Sequence, residues 1–308
     1  MTEISEPGTI DDMVADAAAS GHTVTARLIR DWTEQGLLDY PQKRPAGKGH
    51  GSAPALYPAS QRNLLLTLLQ KRTDNKIRSL ARIPVGIWMY WGDDWVPIRQ
   101  ARRALMTWIG DARASKQRAR EAARAILGQI GSPQASPKAR RELLDVLTEA
   151  GYTGRLDFEE VERAIRAVFE PDYRRQIRKA TGHPSAPFMT DSMIGVMKAR
   201  LTAVAALNDG NVTDEALLQA RDAHVFAYAE YVTRQPFLAF ASPPGAGQLY
   251  APVTAEDTLS NCCGHLLSAI GLEIMHPADA ERLRLARDGQ RRPTPAQVGL
   301  TMASASRR

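Results

Sequence analysis

Most of the chain consists of amphipathic segments with the spacing of α-helices, separated by loops that are rich in glycine and proline. In the stretch from Val24 to Leu38, apolar residues recur at steps of three and four and leave the charged residues on the opposite face. Gly36 can take the left-handed conformation in which helices often end. The stretch therefore predicts a short helix that turns Leu28, Ile29 and Trp32 toward a core and Arg27, Arg30 and Asp31 outward.

Further patterns predict helices on both sides of this stretch. Thr9 and Asp12 have the spacing of a capping box, in which two side chains close the start of a helix. Beyond a basic loop that is spaced by glycines, leucines at three- and four-residue steps predict a helix from Ser60 to Arg82. Two helices, a basic flap and a third helix are thus expected near the N-terminus.

After Pro97 one helical pattern follows another, and strand signals are nearly absent. Residues 98–112 and 115–131 predict two helices, and the segment 131–137 has the composition of a linker. Pro236 is expected to end a long helix, and the basic tail from Arg291 is expected to be poorly ordered. We predict a mostly α fold with an all-helical C-terminal domain. The residues placed to cap its helices are Ser136, Asp157, Thr213 and Thr254.

The stretch from Val24 resembles the second helix of the DNA-binding domain of MerR-type regulators. Thr9 to Val14 is similar to the first helix of that domain, and Tyr57 is similar to the tyrosine that ends its wing. The resemblance covers about residues 9–82 and implies an N-terminal winged helix-turn-helix with a small β wing that binds double-stranded DNA. The residues in register with the second helix are Thr25, Arg27, Ile29, Arg30, Trp32, Gly36, Leu37 and Leu38.

The resemblance also implies which residues contact the DNA. The start of the second helix enters the major groove, where Thr25, Ala26 and Arg27 approach base edges. Arg30 holds a phosphate. The wing departs from the family pattern, because Ala55 stands where an arginine normally contacts phosphate, and we expect the basic residues ahead of it to supply that charge. The residues assigned to the wing contact are Lys43, Arg44, Lys48, His50 and Tyr57.

The distribution of charge agrees with a polyanionic partner near the N-terminus. The formal net charge is +6 and the pI is about 9.4. Residues 21–82 hold eleven Lys or Arg against four acidic residues, whereas residues 128–280 hold fourteen against nineteen. The basic excess lies in the front half of the chain, although a composition rich in arginine also arises from a G+C-rich genome.

The sequence also indicates the cellular compartment in which the protein is expected. The N-terminus is acidic, and no apolar run approaches the roughly 18 residues of a membrane span. The two cysteines, Cys262 and Cys263, are adjacent and therefore poorly placed for a disulfide with each other. We expect a cytoplasmic, nucleoid-associated protein without a membrane partner.

One aromatic stretch has two interpretations. Residues 83–97 hold three tryptophans between two prolines. Large aromatic side chains are commonest in cores, which favours a packed hinge or core segment. The alternative is the wall of a ligand pocket, formed by Trp88, Tyr90, Trp91 and Trp95.

Catalytic and metal sites have little support in the sequence. Cys262, Cys263 and His265, with His276, form one cluster of soft ligands, but it lacks the paired spacing of zinc sites. Buried free cysteines usually pack as small hydrophobic residues. The sequence contains neither a glycine-rich phosphate-binding motif nor the Gly-x-Ser-x-Gly motif of serine hydrolases. We predict a protein that is not an enzyme and holds no metal and no cofactor.

We therefore predict a sequence-specific transcriptional regulator that acts as a homodimer on an inverted repeat, with RNA polymerase or a small-molecule effector as further partners. Residues 1–84 would form the DNA-binding domain, residues 85–131 an aromatic hinge with basic connecting helices, and residues 132–308 a helical dimerisation or effector domain with a disordered tail. Two alternatives remain open. One is an architectural, recombination or plasmid-maintenance accessory protein, and the other is a helical protein that binds small molecules.

Overall fold

The structure is a computed structural model that describes residues 4–45, 52–73, 79–113, 115–130, 135–155, 157–169, 190–241 and 254–300. These residues form twelve α-helices and one small antiparallel sheet of two strands, so the prediction of a mostly helical chain is confirmed. The first helices and the two strands are α1 (Ile10–Ala19), α2 (Ala26–Glu34), β1 (Gln42–Pro45), β2 (Ser52–Leu56), α3 (Ala59–Arg72), α4 (Arg82–Trp91), α5 (Ile98–Arg113) and α6 (Lys116–Ile130). The remaining helices are α7 (Pro137–Thr153), α8 (Phe158–Phe169), α9 (Thr190–Asn208), α10 (Asp214–Ala241), α11 (Ala255–Met275), α12 (Pro277–Arg287) and a short 3-10 helix (Pro295–Val298).

Several helices begin at the predicted caps. Thr9 and Asp12 form a complete capping box, because the Thr9 hydroxyl accepts the N–H of Asp12 and the Asp12 carboxylate accepts the N–H of Thr9. The bonds from Thr9 hold the pKa of Asp12 below its ordinary value. Three further predicted caps accept backbone N–H groups at the starts of α7, α8 and α10, namely Ser136, Asp157 and Thr213.

The predicted helix from Ser60 to Arg82 is wrong in its length. α3 ends at Arg72, and α4 begins at Arg82. Apolar residues at helical steps continue across the break, and such steps do not distinguish one long helix from two successive ones.

Pro236 does not end its helix, because α10 continues through it to Ala241. Proline removes one N–H and crowds the carbonyl four residues earlier. Pro236 and its neighbours Thr233 and Arg234 are exposed, so the proline lies at the surface of the helix.

The prediction of a poorly ordered tail is wrong for residues 291–300. Val298, the last residue of the short 3-10 helix, and Leu300 beyond it are buried. Arg292 donates to the carbonyl of Met89, and its Nε lies 3.2 Å from a carboxylate oxygen of Asp222. Two apolar side chains and one arginine thus fix this segment, while residues 301–308 lie outside the described residues.

Compact packing divides the chain into two units. The first contains Met1–Trp108, Val212–Leu266 and Arg284–Arg308, and the second contains Ile109–Asn211 and Leu267–Leu283. The predicted boundaries at residues 84/85 and 131/132 do not coincide with this division. Composition marks loops along the chain, whereas the units depend on which distant segments pack together.

Each unit has its own apolar interior. In the first unit, Met13, Ile29, Leu65, Trp88 and Leu105 are almost fully buried. In the second, Leu143 of α7 packs with residues of α8, and α6 contributes further apolar side chains. The part of α11 in the second unit approaches α9 so closely that a Cβ on Gly271 would lie 1.8 Å from the carbonyl oxygen of Ala199.

Candidate nucleic-acid interface

The N-terminal helices place one face of α2 in the core and the other in solvent. Thr25 precedes α2 in an extended conformation, and its hydroxyl accepts the N–H of Leu28 at 3.2 Å. Ile29 and Trp32 are buried as predicted, and Leu28 is partly buried. The apolar stripe therefore fixes the orientation of α2 about its axis.

The opposite face of α2 carries two exposed arginines. The side chain of Arg27 is 89% exposed, and it lies 4.0 Å from the carboxylate of Asp31, which is also exposed. An exposed pair at this separation is weak, so it does not tie up the guanidinium. Arg30 is exposed, and Thr25 and Ala26 stand beside these arginines at the start of the helix. Of the four residues predicted to contact DNA here, Thr25, Arg27 and Arg30 are thus exposed and Ala26 is partly buried.

The two strands form a basic hairpin after α2. Gln42 pairs with Leu56 and Arg44 with Ala53, so the register shifts between these pairs. The shift leaves Pro54 and Ala55 opposite a single residue of β1, as in a β-bulge.

Two basic side chains of this hairpin are exposed, those of Lys43 and Arg44. The carbonyl of Pro54 accepts both Nε and Nη2 of Arg44, at 3.2 and 3.1 Å, which holds the guanidinium against the hairpin. Lys48 and His50, which were assigned to the same contact, lie outside the described residues.

Tyr57 is a core residue, which corrects its assignment as a DNA contact. It is only 3% exposed. Its backbone exchanges two hydrogen bonds with Gly8, at 2.7 and 3.0 Å, and its hydroxyl lies 3.3 Å from that of Thr33. Tyr57 therefore connects the end of the hairpin to α2 and to the N-terminal segment, and it cannot present its ring to DNA in this conformation.

Arg62 is also partly buried, and it binds other residues of the protein. Its guanidinium donates to both carboxylate oxygens of Asp16, at 2.7 and 2.8 Å, and to the carbonyl of Glu6. The hydrogen bonds to Asp16 raise the pKa of Arg62 above its ordinary value. This ion pair joins α1 to α3 and is a structural use of a basic residue in the N-terminal region.

A buried carboxylate marks the segment between α2 and the hairpin. Asp39 accepts hydrogen bonds from Arg99, the closest at 2.6 Å, and from Arg103 at 3.2 Å. Burial alone would raise the pKa of Asp39, but the bonds from Arg99, the backbone of Tyr40 and Arg103 outweigh it and lower that pKa. No local sequence pattern indicates this cluster, because its partners lie about sixty residues apart.

The aromatic stretch packs into the first unit as part of α4. Trp88 is fully buried, its indole N–H donates to Asp93 at 3.1 Å, and the guanidinium of Arg221 lies 4.9 Å from the centre of its ring. Tyr90 is 2% exposed. Trp91 is partly buried and Trp95 is partly exposed. Trp88 and Tyr90 are therefore core residues, and they do not form the wall of an open pocket.

Two histidines join the aromatic core of the first unit. His224 stacks on His265 with 4.9 Å between ring centres, and its other neighbour is Tyr228 at 5.7 Å. The Nε2 of His224 lies 3.1 Å from the hydroxyl of Tyr90. Burial, and secondly the proximity of His265, lower the pKa of His224 to about 3, so this imidazole is neutral near pH 7.

The cysteine cluster is buried. The thiol of Cys262 lies 3.5 Å from the carbonyl of Arg82 and 4.0 Å from the sulfur of Cys263. Burial raises the pKa of Cys263. Among the described residues, no group of three or more His, Cys, Asp or Glu side chains has the geometry to hold a metal ion. In the same residues, no helix is both long and apolar enough to span a bilayer.

Comparison of the chain with protein-family models, with curated proteins and with solved structures finds no match. The similarity of residues 9–82 to MerR-type regulators therefore rests on the residues themselves.

Proposed function

We propose that the protein is a sequence-specific regulator that binds double-stranded DNA through α2 and the hairpin, in the manner of a winged helix-turn-helix. The observation that carries this proposal is the exposure of basic side chains on both α2 and the hairpin. Arg27 and Arg30 of α2, with Lys43 and Arg44 of the hairpin, are all exposed. In the part of the chain that the structure describes, none of Arg30, Lys43 and Arg44 forms an ion pair.

The dimensions of α2 suit the major groove. An α-helix with its side chains is about 10–12 Å across, and the major groove is about 12 Å wide, enough to admit it. Thr25, Ala26 and Arg27 at the start of α2 would approach base edges, and Arg30 would bind a phosphate. A helix held by its apolar face against the core enters the groove in one orientation, as sequence-specific contacts require.

The hairpin would follow the neighbouring phosphates. Arg44 is suited to this because its bonds to Pro54 already order the guanidinium, while the edge that does not face the carbonyl can bind an anion. Lys43 adds a more flexible charge beside it. These two residues replace the arginine that is missing at Ala55.

A single unit of this size reads few base pairs, so we propose a homodimer on an inverted repeat. RNA polymerase or a small-molecule effector would be further partners of such a regulator. As a transcriptional regulator, the protein should change the expression of the gene adjacent to the inverted repeat when it binds there.

The test is a salt titration of DNA binding with the full chain and duplexes from the region that flanks its own gene. Replacing Arg30 with Gln should weaken binding to all sequences and reduce the slope of log K against log salt by about 0.9 for each bound copy. Replacing Arg27 with Gln should instead change base preference, by about 1–3 kcal/mol at the contacted position.

Arg234 provides the matched control. It is an exposed arginine that pairs with a glutamate four residues earlier, much as Arg27 lies near Asp31, but it lies on α10. Arg234→Gln should leave affinity and salt slope unchanged. Absence of binding at low salt would overturn the proposal, and a large induced bend without any effect on transcription would indicate an architectural factor instead.

A further inference from the structure

In the segment after α2, residues 35–39, three backbone carbonyls accept hydrogen bonds from side chains of α5. The hydroxyl of Thr107 donates to the carbonyl of Gln35 at 2.8 Å. Two turns earlier on α5, the amide of Gln100 donates to the carbonyl of Leu37 at 3.0 Å. Groups that a surface loop would leave to water are thus bonded to one helix.

Two arginines of α5 extend these contacts along the same segment. Arg103 donates to the carbonyl of Leu38 at 3.4 Å and to the carboxylate of Asp39, and its guanidinium lies 4.2 Å from the ring centre of Tyr40. Arg99 binds Asp39 through two nitrogens. We call Arg99, Gln100, Arg103 and Thr107 the α5 clamp. Their spacing places them on one side of the helix.

A buried amide relay connects the clamp to α3. The side chain of Gln61 accepts the N–H of Asp39 at 2.8 Å and donates to Gln100 at 2.9 Å. Gln61 and Gln100 are 1% and 0% exposed. Both amides find partners, which makes this a satisfied polar network that specifies one arrangement of the buried groups.

Gly36 brings the segment into direct contact with the backbone of α5. Its φ is +73°, and a Cβ built on it would lie 2.4 Å from the backbone nitrogen of Ala104. The end of α2 therefore cannot move toward α5, and the hydrogen bonds of the clamp resist movement away from it.

We propose that the α5 clamp positions α2 relative to the hairpin and thereby determines how selectively the protein recognises its DNA sequence. Arg99 and Thr107 are then positioning residues that do not contact DNA. This inference rests on the proposed function of α2 and the hairpin.

The physical reason is that contacts to phosphates and contacts to base edges differ in how much displacement they tolerate. Attraction between cations and phosphates acts over a Debye length of about 8 Å at physiological salt and survives small displacements. Hydrogen bonds to base edges weaken steeply when donor and acceptor are misaligned. Only residues 35–41 separate α2 from β1, so a clamp on residues 35–39 controls both elements at once. A weaker clamp should therefore reduce specific binding and leave non-specific binding intact.

The test uses two clamp residues that are not themselves fully buried. Arg99 has a side chain that is 60% exposed, and Thr107 is partly buried. In the double variant Arg99→Gln, Thr107→Val, amide exchange at Leu38 and Asp39 should become about tenfold faster, because two of the side chains that hold this segment by hydrogen bonds are lost. The ratio of specific to non-specific DNA affinity should fall about tenfold, with an unchanged salt slope.

The matched control is Arg99→Lys, Thr107→Ser, which keeps one charge and one hydroxyl at the same positions. It should restore most of the exchange protection and most of the specificity. Unchanged amide exchange in the first double variant would overturn the clamp itself. Faster exchange with an unchanged specificity ratio, or a reduced salt slope, would overturn the positioning role.

These outcomes are separable from failure of the proposed function. If the wild-type chain binds no DNA at low salt, the proposed function is wrong and the positioning role falls with it. The exchange measurement does not involve DNA and reports in either case whether the α5 clamp holds the end of α2.

Discussion

Gly36→Ala should destabilise the first unit far more than Gly21→Ala, although both glycines have nearly the same backbone conformation. Their φ values are +73° and +80°. An alanine in this left-handed region costs about 1–2 kcal/mol, and the loss of chain freedom in the unfolded state returns about 0.4–1 kcal/mol of that cost. The conformational contribution alone is therefore about 1 kcal/mol at each position.

The surroundings of the two glycines differ. A Cβ on Gly21 would meet no atom within 4 Å. A Cβ on Gly36 would lie 2.4 Å from the nitrogen of Ala104 and 2.5 Å from the Cβ of Arg103. Relief would require a backbone shift of about 1 Å, since heavy-atom contacts are favourable near 3.5 Å. Overpacking of this kind costs about 1–3 kcal/mol.

The shift would also stretch the hydrogen bonds between residues 35–39 and the α5 clamp, each worth about 1 kcal/mol. We therefore expect a loss of about 3–5 kcal/mol for Gly36→Ala and at most about 1 kcal/mol for Gly21→Ala. Urea denaturation followed by tryptophan fluorescence gives both free energies of unfolding. Equal losses in the two variants would refute the close approach of Gly36 to α5 and the clamp that depends on it.

Two further predictions concern other parts of the chain. Gly271→Ala should destabilise the protein by more than about 2 kcal/mol, because its Cβ would meet the carbonyl of Ala199. Gly195→Ala, with no neighbour within 4 Å of its Cβ, should stabilise its helix by up to about 1 kcal/mol, and thermal unfolding of both variants checks the contrast. The second prediction concerns pH. His224 has a pKa of about 3 in the folded protein, and unfolded histidine has about 6.5, so the unfolded chain binds the extra proton between these values. Stability should be full above pH 6.5 and fall as pH decreases toward 3, by about 2 kcal/mol between pH 7 and 5. Urea titrations at several pH values should show this loss, and it should be absent in His224→Gln.

Local periodicity and one glycine were sufficient to predict a helix between Val24 and Leu38 and the face that it buries. Ile29 and Trp32 lie at helical spacing and Gly36 follows, so each signal lies within one short stretch of sequence. The exposure of Arg27 and Arg30 follows from the same geometry. These features concern neighbouring residues and needed no knowledge of tertiary packing.

Features that depend on distant residues were not predictable. Tyr57 was assigned to DNA on the strength of its position in a motif, but its hydroxyl meets Thr33 and its backbone meets Gly8. The partners of Asp39 lie on a helix about sixty residues later. A hydrogen bond from a side chain to a distant backbone carbonyl imposes no periodic pattern on either segment, so inspection of the sequence does not reveal it.

Under the proposed function, the different origins of these features imply two separable determinants of DNA recognition. The cations of α2 and the hairpin are side-chain properties, and substitutions there should change charge, affinity and salt dependence. The α5 clamp acts mostly on backbone groups of residues 35–39, so substitutions in α5 can alter geometry without changing the charges of α2 and the hairpin. A variant such as Thr107→Val loses one hydroxyl and no charge. If it selectively lowers the affinity for the preferred sequence, positioning contributes to recognition independently of electrostatic attraction, because the salt slope reports only the phosphates that are neutralised.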